Sequence, residues 1–304
     1  MKKILLALMV LLLAICPCVH AEGLEWITVV ENAVLPDEVV LARAYPASVT
    51  LSESIYDLEY LLDTLLGEGW YMEERTEWDF NDTYRSAEGN EPWEWRTVRV
   101  YDGDLGFREK EFSYMNPWVT GERGGEYQPP NMNMMPDESE VLCRALLDGI
   151  VPAEWLTYAN PTRYIRDRWA YSDRWMTDKE FASYYHSQKT HYHTFNAVTE
   201  AGIPIIAQQV YAGIGVDGLS FVTIDWRAFT ESEDYILPLP LEEAYAMANS
   251  TRSAHCNLIG AQLVYSNWVS GTETHNLCWQ LLTDKGTYIV DCVLKKHWCD
   301  SYEY

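Results

Sequence analysis

The sequence is poor in the short motifs that announce a reaction. No Cys-x-x-Cys pair occurs among its seven cysteines, so zinc-ribbon and thioredoxin-like chemistry lack support. There is no Gly-x-Ser-x-Gly elbow and no His-Glu-x-x-His helix, which removes the local signatures of an α/β-hydrolase and of a zinc peptidase. Basic side chains are scarce, with 22 Lys and Arg against 46 Asp and Glu and a formal net charge of -24. A surface of that sign repels nucleic acid and anionic lipid. The acids are spread along the chain instead of forming one block, as expected of a solubilising surface. After the leader no apolar run is long enough to span a bilayer, so no transmembrane segment is expected once the leader is removed.

The leader itself is clear. Lys2 and Lys3 precede an unbroken apolar run from Ile4 to Cys16, and Val19 and Ala21 stand at the -3 and -1 positions of a cleavage site. The run is shorter than the roughly 20 residues a transmembrane helix needs. Residues 1 to 21 therefore read as a secretory signal peptide, and the protein as secreted. The alternative is a lipid anchor at Cys16 on the outer face of the membrane, because Leu13-Ala14-Ile15-Cys16 approximates a lipobox, although Ile15 and Pro17 fit that pattern poorly.

The rest reads as an α+β chain of two halves, each an antiparallel meander packed with one or two amphipathic helices. In residues 22–115, Ile55, Leu58, Leu61, Leu62, Leu65 and Leu66 recur at helical spacing, with Ser52 as the expected cap and Gly67 or Gly69 as the stop. Three strand-like runs follow. Residues 116–136 are dense in Pro, Gly and Asn and mark a linker. In residues 137–304 the order is a helix, an aromatic-rich stretch without a clear assignment, and a second helix opened by Thr177 and Glu180 in capping-box spacing. Three strands, a helix and three strands complete the chain.

The last hairpin, "LCWQLLTDKGTYIVDCV", holds Trp279 and Asp291 in its two arms. A three-residue loop with Gly286 in the left-handed position sets Cys278 opposite Cys292, and Trp279 opposite Asp291. That register makes a strained Cys278–Cys292 disulfide conceivable. Trp279 is expected to pack on the sheet and Asp291 to end a strand.

Candidate chemistry is thin. "GIGVDG", residues 213 to 218, has the letters of a dinucleotide loop, yet an alternating strand follows it where a helix is required, so it reads as a hairpin turn and no cofactor is expected. His186, His191 and His193 form the one histidine cluster. Alternation along a strand would turn His191 and His193 to one face, where they could join His186 on a metal, against the plainer reading of packing histidines. Aromatic residues are the true excess, with 13 Trp and 21 Tyr. Trp70, Trp78, Trp93 and Trp95 cluster early, and exposed rings of this kind would stack on sugars or anchor a protein; the alternative is that they fill thin α+β cores.

"LPLEEAYAMANS", "LIGAQLVYSN" and "LCWQLLTDKGTYIVDC" together resemble the helix, strand and hairpin of PepSY-like domains and of the YycH/YycI type of exported regulator of Gram-positive bacteria. The likeness covers residues 190–294, with Leu277 in place of the usual proline and Cys292 where a glycine often follows Asp291. It implies a non-catalytic exported protein of the cell envelope that binds or regulates a protein partner. It supplies no catalytic residue. Secreted glycan binding through exposed tryptophans is the alternative.

Overall fold

The computed structural model describes residues 29–76, 81–87, 96–101, 111–116, 129–170, 174–250 and 256–301. The leader with Cys16, the tryptophans Trp78, Trp93 and Trp95, and residues 117–128 of the expected linker lie outside them. Among the described residues the chain is α+β, and the named strands pair antiparallel except where β14 runs parallel to β1 and to β10.

The first part runs β1 (Val29–Val34), α1 (Glu38–Leu41), β2 (Tyr45–Pro46), β3 (Ser48–Ser54), α2 (Leu58–Leu66), and the meander β4 (Tyr71–Thr76), β5 (Asn81–Arg85), β6 (Thr97–Tyr101), β7 (Glu111–Met115). Helix α2 starts later than its apolar spacing suggests. Asp57, not Ser52, is the cap, its carboxylate accepting from the Tyr60 amide, while residues up to Ser54 belong to β3. A buried Leu61, Leu62, Leu65 and Leu66 stripe then docks on the core, and Gly67, at φ 82°, ends the helix as expected.

The second part runs α3 (Pro136–Leu147), β8 (Tyr158–Ala159), α4 (Thr162–Ala170), α5 (Asp178–Ser187), β9 (His191–Val198), β10 (Pro204–Gly215), β11 (Gly218–Asp225), β12 (Arg227–Glu231), β13 (Tyr235–Ile236), α6 (Leu241–Asn249), β14 (Leu258–Ser266), β15 (Thr274–Thr283), β16 (Gly286–Asp291) and β17 (Lys296–Ser301). Thr177 and Glu180 do form the capping box of α5. "GIGVDG" is a hairpin, with Gly215 paired to Gly218 across Val216 and Asp217.

Backbone pairing runs across the two parts. Strand β7 of the first meander pairs with β11, and β3 pairs with both β12 and β15. The long strand β10 links two sheet regions: Ile205 at its start pairs with Tyr265 of β14, and its remainder lies between β9 and β11. One continuous apolar core accordingly draws Leu62 and Val98 from the first part together with Phe195, Tyr245 and Trp279 from the second.

The final hairpin differs from its expected register by one residue. Thr283 pairs with Gly286, so the turn holds only Asp284 and Lys285, and Gly286, at φ 145°, opens β16 instead of forming a bulge. Trp279 therefore faces Val290, and Cys278 faces Asp291. Because side chains alternate along a strand, the shift sends Cys278 and Cys292 to opposite faces. Cys278 packs with Val264 and Ile289 while Cys292 joins the main core, and both thiols are free. No bridge joins them. Helix α6 covers the Trp279 face with Leu241, Ala244, Tyr245 and Ala248; α4 lies over the other, where Gly260 leaves room for Ile165, whose Cγ2 would be 3.3 Å from a Cβ added there.

Candidate functional site: a polar cleft under helix α4

The face under α4 is polar where the face under α6 is oily. Gln262 on β14 and Gln280 on β15 stand opposite each other in the register. The Gln262 amide donates to Gln280 Oε1 at 2.6 Å and to Thr162 Oγ1 at 3.1 Å, and the Tyr158 hydroxyl donates to Gln262 Oε1 at 3.2 Å. Asn160 holds the entrance of α4: its Oδ1 accepts from the Thr162 amide at 3.0 Å, and its Nδ2 donates to Asn196 Oδ1 at 2.9 Å. The Asn196 amide in turn donates to the carbonyls of Ile205 and Gln208 at 3.1 Å each. A connected, partly buried network of this kind fixes side-chain positions because an unpaired member would be costly.

Beside this network opens a cleft of about 290 Å³, lined by Asn160, Thr162, Arg163, Arg166, Thr194, Gln209, Tyr211 and Gln280. Arg163 and Arg166 are one helical turn apart and so share a face of α4. The Arg163 guanidinium lies 4.2 Å from the centre of the Tyr192 ring, donates to the Tyr211 hydroxyl at 3.2 Å, and has Asp167 3.7 Å from its Nε. Tyr192, Tyr211 and Phe221 form the adjoining aromatic wall, with ring centres 5.1 to 6.1 Å apart. Gly213 is needed there, since a Cβ on it would stand 2.4 Å from the Phe221 ring.

The opposite flank of α4 consumes the histidines. Ser139 Oγ gives its proton to the Pro136 carbonyl at 3.0 Å, so it accepts from His193 Nε2 at 3.1 Å, and the Tyr164 hydroxyl, 2.6 Å away, donates to Nδ1. His191 Nε2 lies 3.0 Å from the Tyr185 carbonyl, and His186 is exposed on α5. The three imidazoles thus do not converge on one point, and among the described residues no three His, Cys, Asp or Glu side chains form a metal-binding group. Alternation did place His191 and His193 on one face, but that face is interior. Of the four tryptophans singled out, Trp70 lies within the described residues; its indole donates to Asp63 at 2.7 Å and its ring meets Tyr84 edge-on at 5.5 Å, a packing arrangement. Among the described residues the pair with exposed rings is instead Trp268 and Trp298, 4.8 Å apart.

Burial pushes the His193 pKa down to about 3 and that of His275 down to about 4. A group whose folded pKa is depressed contributes stability above its unfolded value that is lost as pH falls. The loss begins near pH 6.5, the unfolded imidazole value, and costs up to about 1.4 kcal/mol per imidazole per pH unit until the folded pKa is reached. Urea midpoints measured from neutral pH downward should fall below about pH 6.5, and His193→Gln should flatten part of that decline; an unchanged slope would show that His193 is protonated in the fold.

The sequence did not single out Arg163 or Arg166, which lie in the aromatic stretch left unassigned. A signal was there: "TRYIRDRWA" carries three arginines in one short segment of a chain with 22 basic residues in all. No family model and no curated protein matches the chain. Among solved structures, it is similar to the Bacillus megaterium YpeB C-terminal domain at 9% identity, with a TM-score of 0.40 over 83% of this chain and 100% of that one.

Proposed function

We propose that this chain is a non-catalytic exported binding protein of the cell envelope, which recognises a protein partner through the cleft under α4. One observation carries the reading: every side chain lining the cleft is an amide, a hydroxyl or a guanidinium, and none is a carboxylate, imidazole, thiol or amine. Such a set supplies hydrogen bonds and positive charge and offers neither a general base nor an activated nucleophile. The partly buried network beneath holds those groups in place before a ligand arrives, which lowers the cost of ordering them. The leader, the acidic surface and the resemblance of residues 190–294 to exported regulators support the compartment.

A photo-reactive amino acid at position 209, on the cleft wall, tests the reading. It should yield a discrete adduct with one envelope protein, the same residue at the exposed Tyr235 should not, and Arg163→Gln should abolish the adduct. Equal labelling from both positions would overturn the assignment of the cleft.

A further inference from the structure

We infer that two copies of this chain join edge to edge through β17, in an antiparallel pairing that sets Trp298 opposite its own counterpart. The edge is open. Among the described residues β17 pairs with β16 and with no other strand, so one side of its six-residue backbone presents N–H and C=O groups that no strand takes up. Such an edge is a template for another strand, and the side chains along it select which strand fits.

Symmetry narrows the choice. In an antiparallel ladder, residues whose backbone groups point outward alternate with residues whose groups point inward, so two copies of one edge pair about a residue and not about the bond between two. Pairing about Trp298 places Lys296 of each copy opposite Asp300 of the other, with His297 opposite Cys299. Moving the centre by one residue, to His297 or to Cys299, breaks both Lys296–Asp300 pairs. Opposite charges in directly opposed positions stabilise a sheet, and like charges destabilise it. A lysine on an edge keeps unrelated strands away, whereas here the same strand carries the acid that accepts it. Lys295 is already paired with Glu243, 3.6 Å away, so Lys296 carries the recognition. Two copies of a chain with net charge -24 repel each other, and the twofold Lys296–Asp300 match supplies local compensation.

Exposed rings supply the apolar part. Trp298 and Lys296 lie two residues apart on one strand and so on the same side of the sheet. The Trp298 ring is 37% exposed and meets Trp268, 40% exposed, with ring centres 4.8 Å apart. Trp268 is held by its own loop: its amide donates to Ser266 Oγ at 3.2 Å, the Gly271 amide donates to the Asn267 carbonyl at 2.7 Å, and Asn267 Nδ2 donates to the Thr272 carbonyl at 2.8 Å. Pairing about Trp298 brings both indoles of each copy over the joint, which takes from water the residue type that interface cores favour. Gln262, Gln280, Ile289 and Trp298 stand in one rank across β14, β15, β16 and β17, so they share a face. The joined sheet therefore opens both clefts on one side, a bivalent arrangement. The dimer itself does not depend on what the cleft binds.

Sedimentation equilibrium of the purified chain tests this. The parent should show a monomer–dimer equilibrium, and Lys296→Glu and Asp300→Lys should each raise its dissociation constant at least about tenfold, because two attractive cross-strand pairs become repulsive. Mixing the two variants should restore dimers, since each acid of one then faces a lysine of the other. Misfolded chains would not reunite in that way. Should either reversal fold poorly, Trp298→Ala reads the same edge and should weaken the dimer by a similar factor. A parent that stays monomeric at every concentration, a dimer unmoved by these substitutions, or charge variants that dissociate without reuniting on mixing would overturn the pairing through β17.

Discussion

Trp279→Ala should destabilise the protein by about 3 to 5 kcal/mol, the range for deleting a fully buried large aromatic side chain. The ring is 0% exposed at the centre of β15, against the face covered by α6. Removing it leaves a cavity that surrounding side chains fill only in part, because the interior is close-packed. A second loss comes from its indole nitrogen, which donates at 2.9 Å to the carbonyl of Leu239 in the segment leading into α6. Alanine orphans that carbonyl in the interior. Trp279→Phe separates the two contributions, since it keeps most of the ring and drops the hydrogen bond, and it should cost about 1 to 3 kcal/mol. Urea unfolding curves read both. A Trp279→Ala midpoint equal to that of the parent would show the ring outside the core and return it to consideration as a binding residue.

The contrast between Trp279 and the cleft shows where the sequence was legible. Burial of Trp279 follows from alternation along a strand, a local rule, and so do the capping box at Thr177 and Glu180 and the hairpin at Asp217 and Gly218. What failed was set by competition between neighbours of equal local merit. Ser52 and Asp57 are both good helix caps, and the strand pairing of β3 with β12 through Ser54 decides for Asp57. A two-residue and a three-residue turn both accept Asp284-Lys285-Gly286; pairing of Thr283 with Gly286 decides for the shorter, and one residue of register moves Cys278 to the other face of the sheet. The cleft was hidden for a different reason. Arg163, Gln209 and Gln280 are far apart in the chain and meet only because β10 carries the pairing from one sheet region to the next. No period or short motif encodes a meeting of that kind. The histidines illustrate the converse, since their shared face was legible but its burial depended on Ser139 and Tyr164 from other helices.

Asp291→Ala should cost about 3 kcal/mol or more, because it removes the shared acceptor of three N–H donors at once, one of them buried. The carboxylate is 0% exposed. Its Oδ1 accepts from the backbone amides of Val293 and Leu294 at 2.8 and 2.7 Å, and its Oδ2 accepts from Asn276 Nδ2 at 2.8 Å. The two amides belong to the turn that reverses β16 into β17, and Lys295 closes it in a left-handed conformation at φ 52° while donating its amide to the Asp291 carbonyl at 3.0 Å. An isolated buried carboxylate would be expensive, but three N–H donors aimed at its two oxygens offset the desolvation. Asp291 therefore organises a turn and holds β15 to it through Asn276; it is not one of the residues that line the cleft. Asp291→Asn discriminates further. An amide in this place keeps the shape but offers one acceptor oxygen for donors on both sides, so either the turn or Asn276 must face an N–H group. Its loss should approach that of alanine, whereas Asn276→Ala, which removes one donor and leaves the turn satisfied, should cost about 1 kcal/mol. A double-mutant cycle between positions 276 and 291 should show clear coupling, since the two side chains touch. Should Asp291→Asn melt with the parent while abolishing the adduct formed from position 209, the carboxylate would be a recognition group, and its turn-forming role would be refuted.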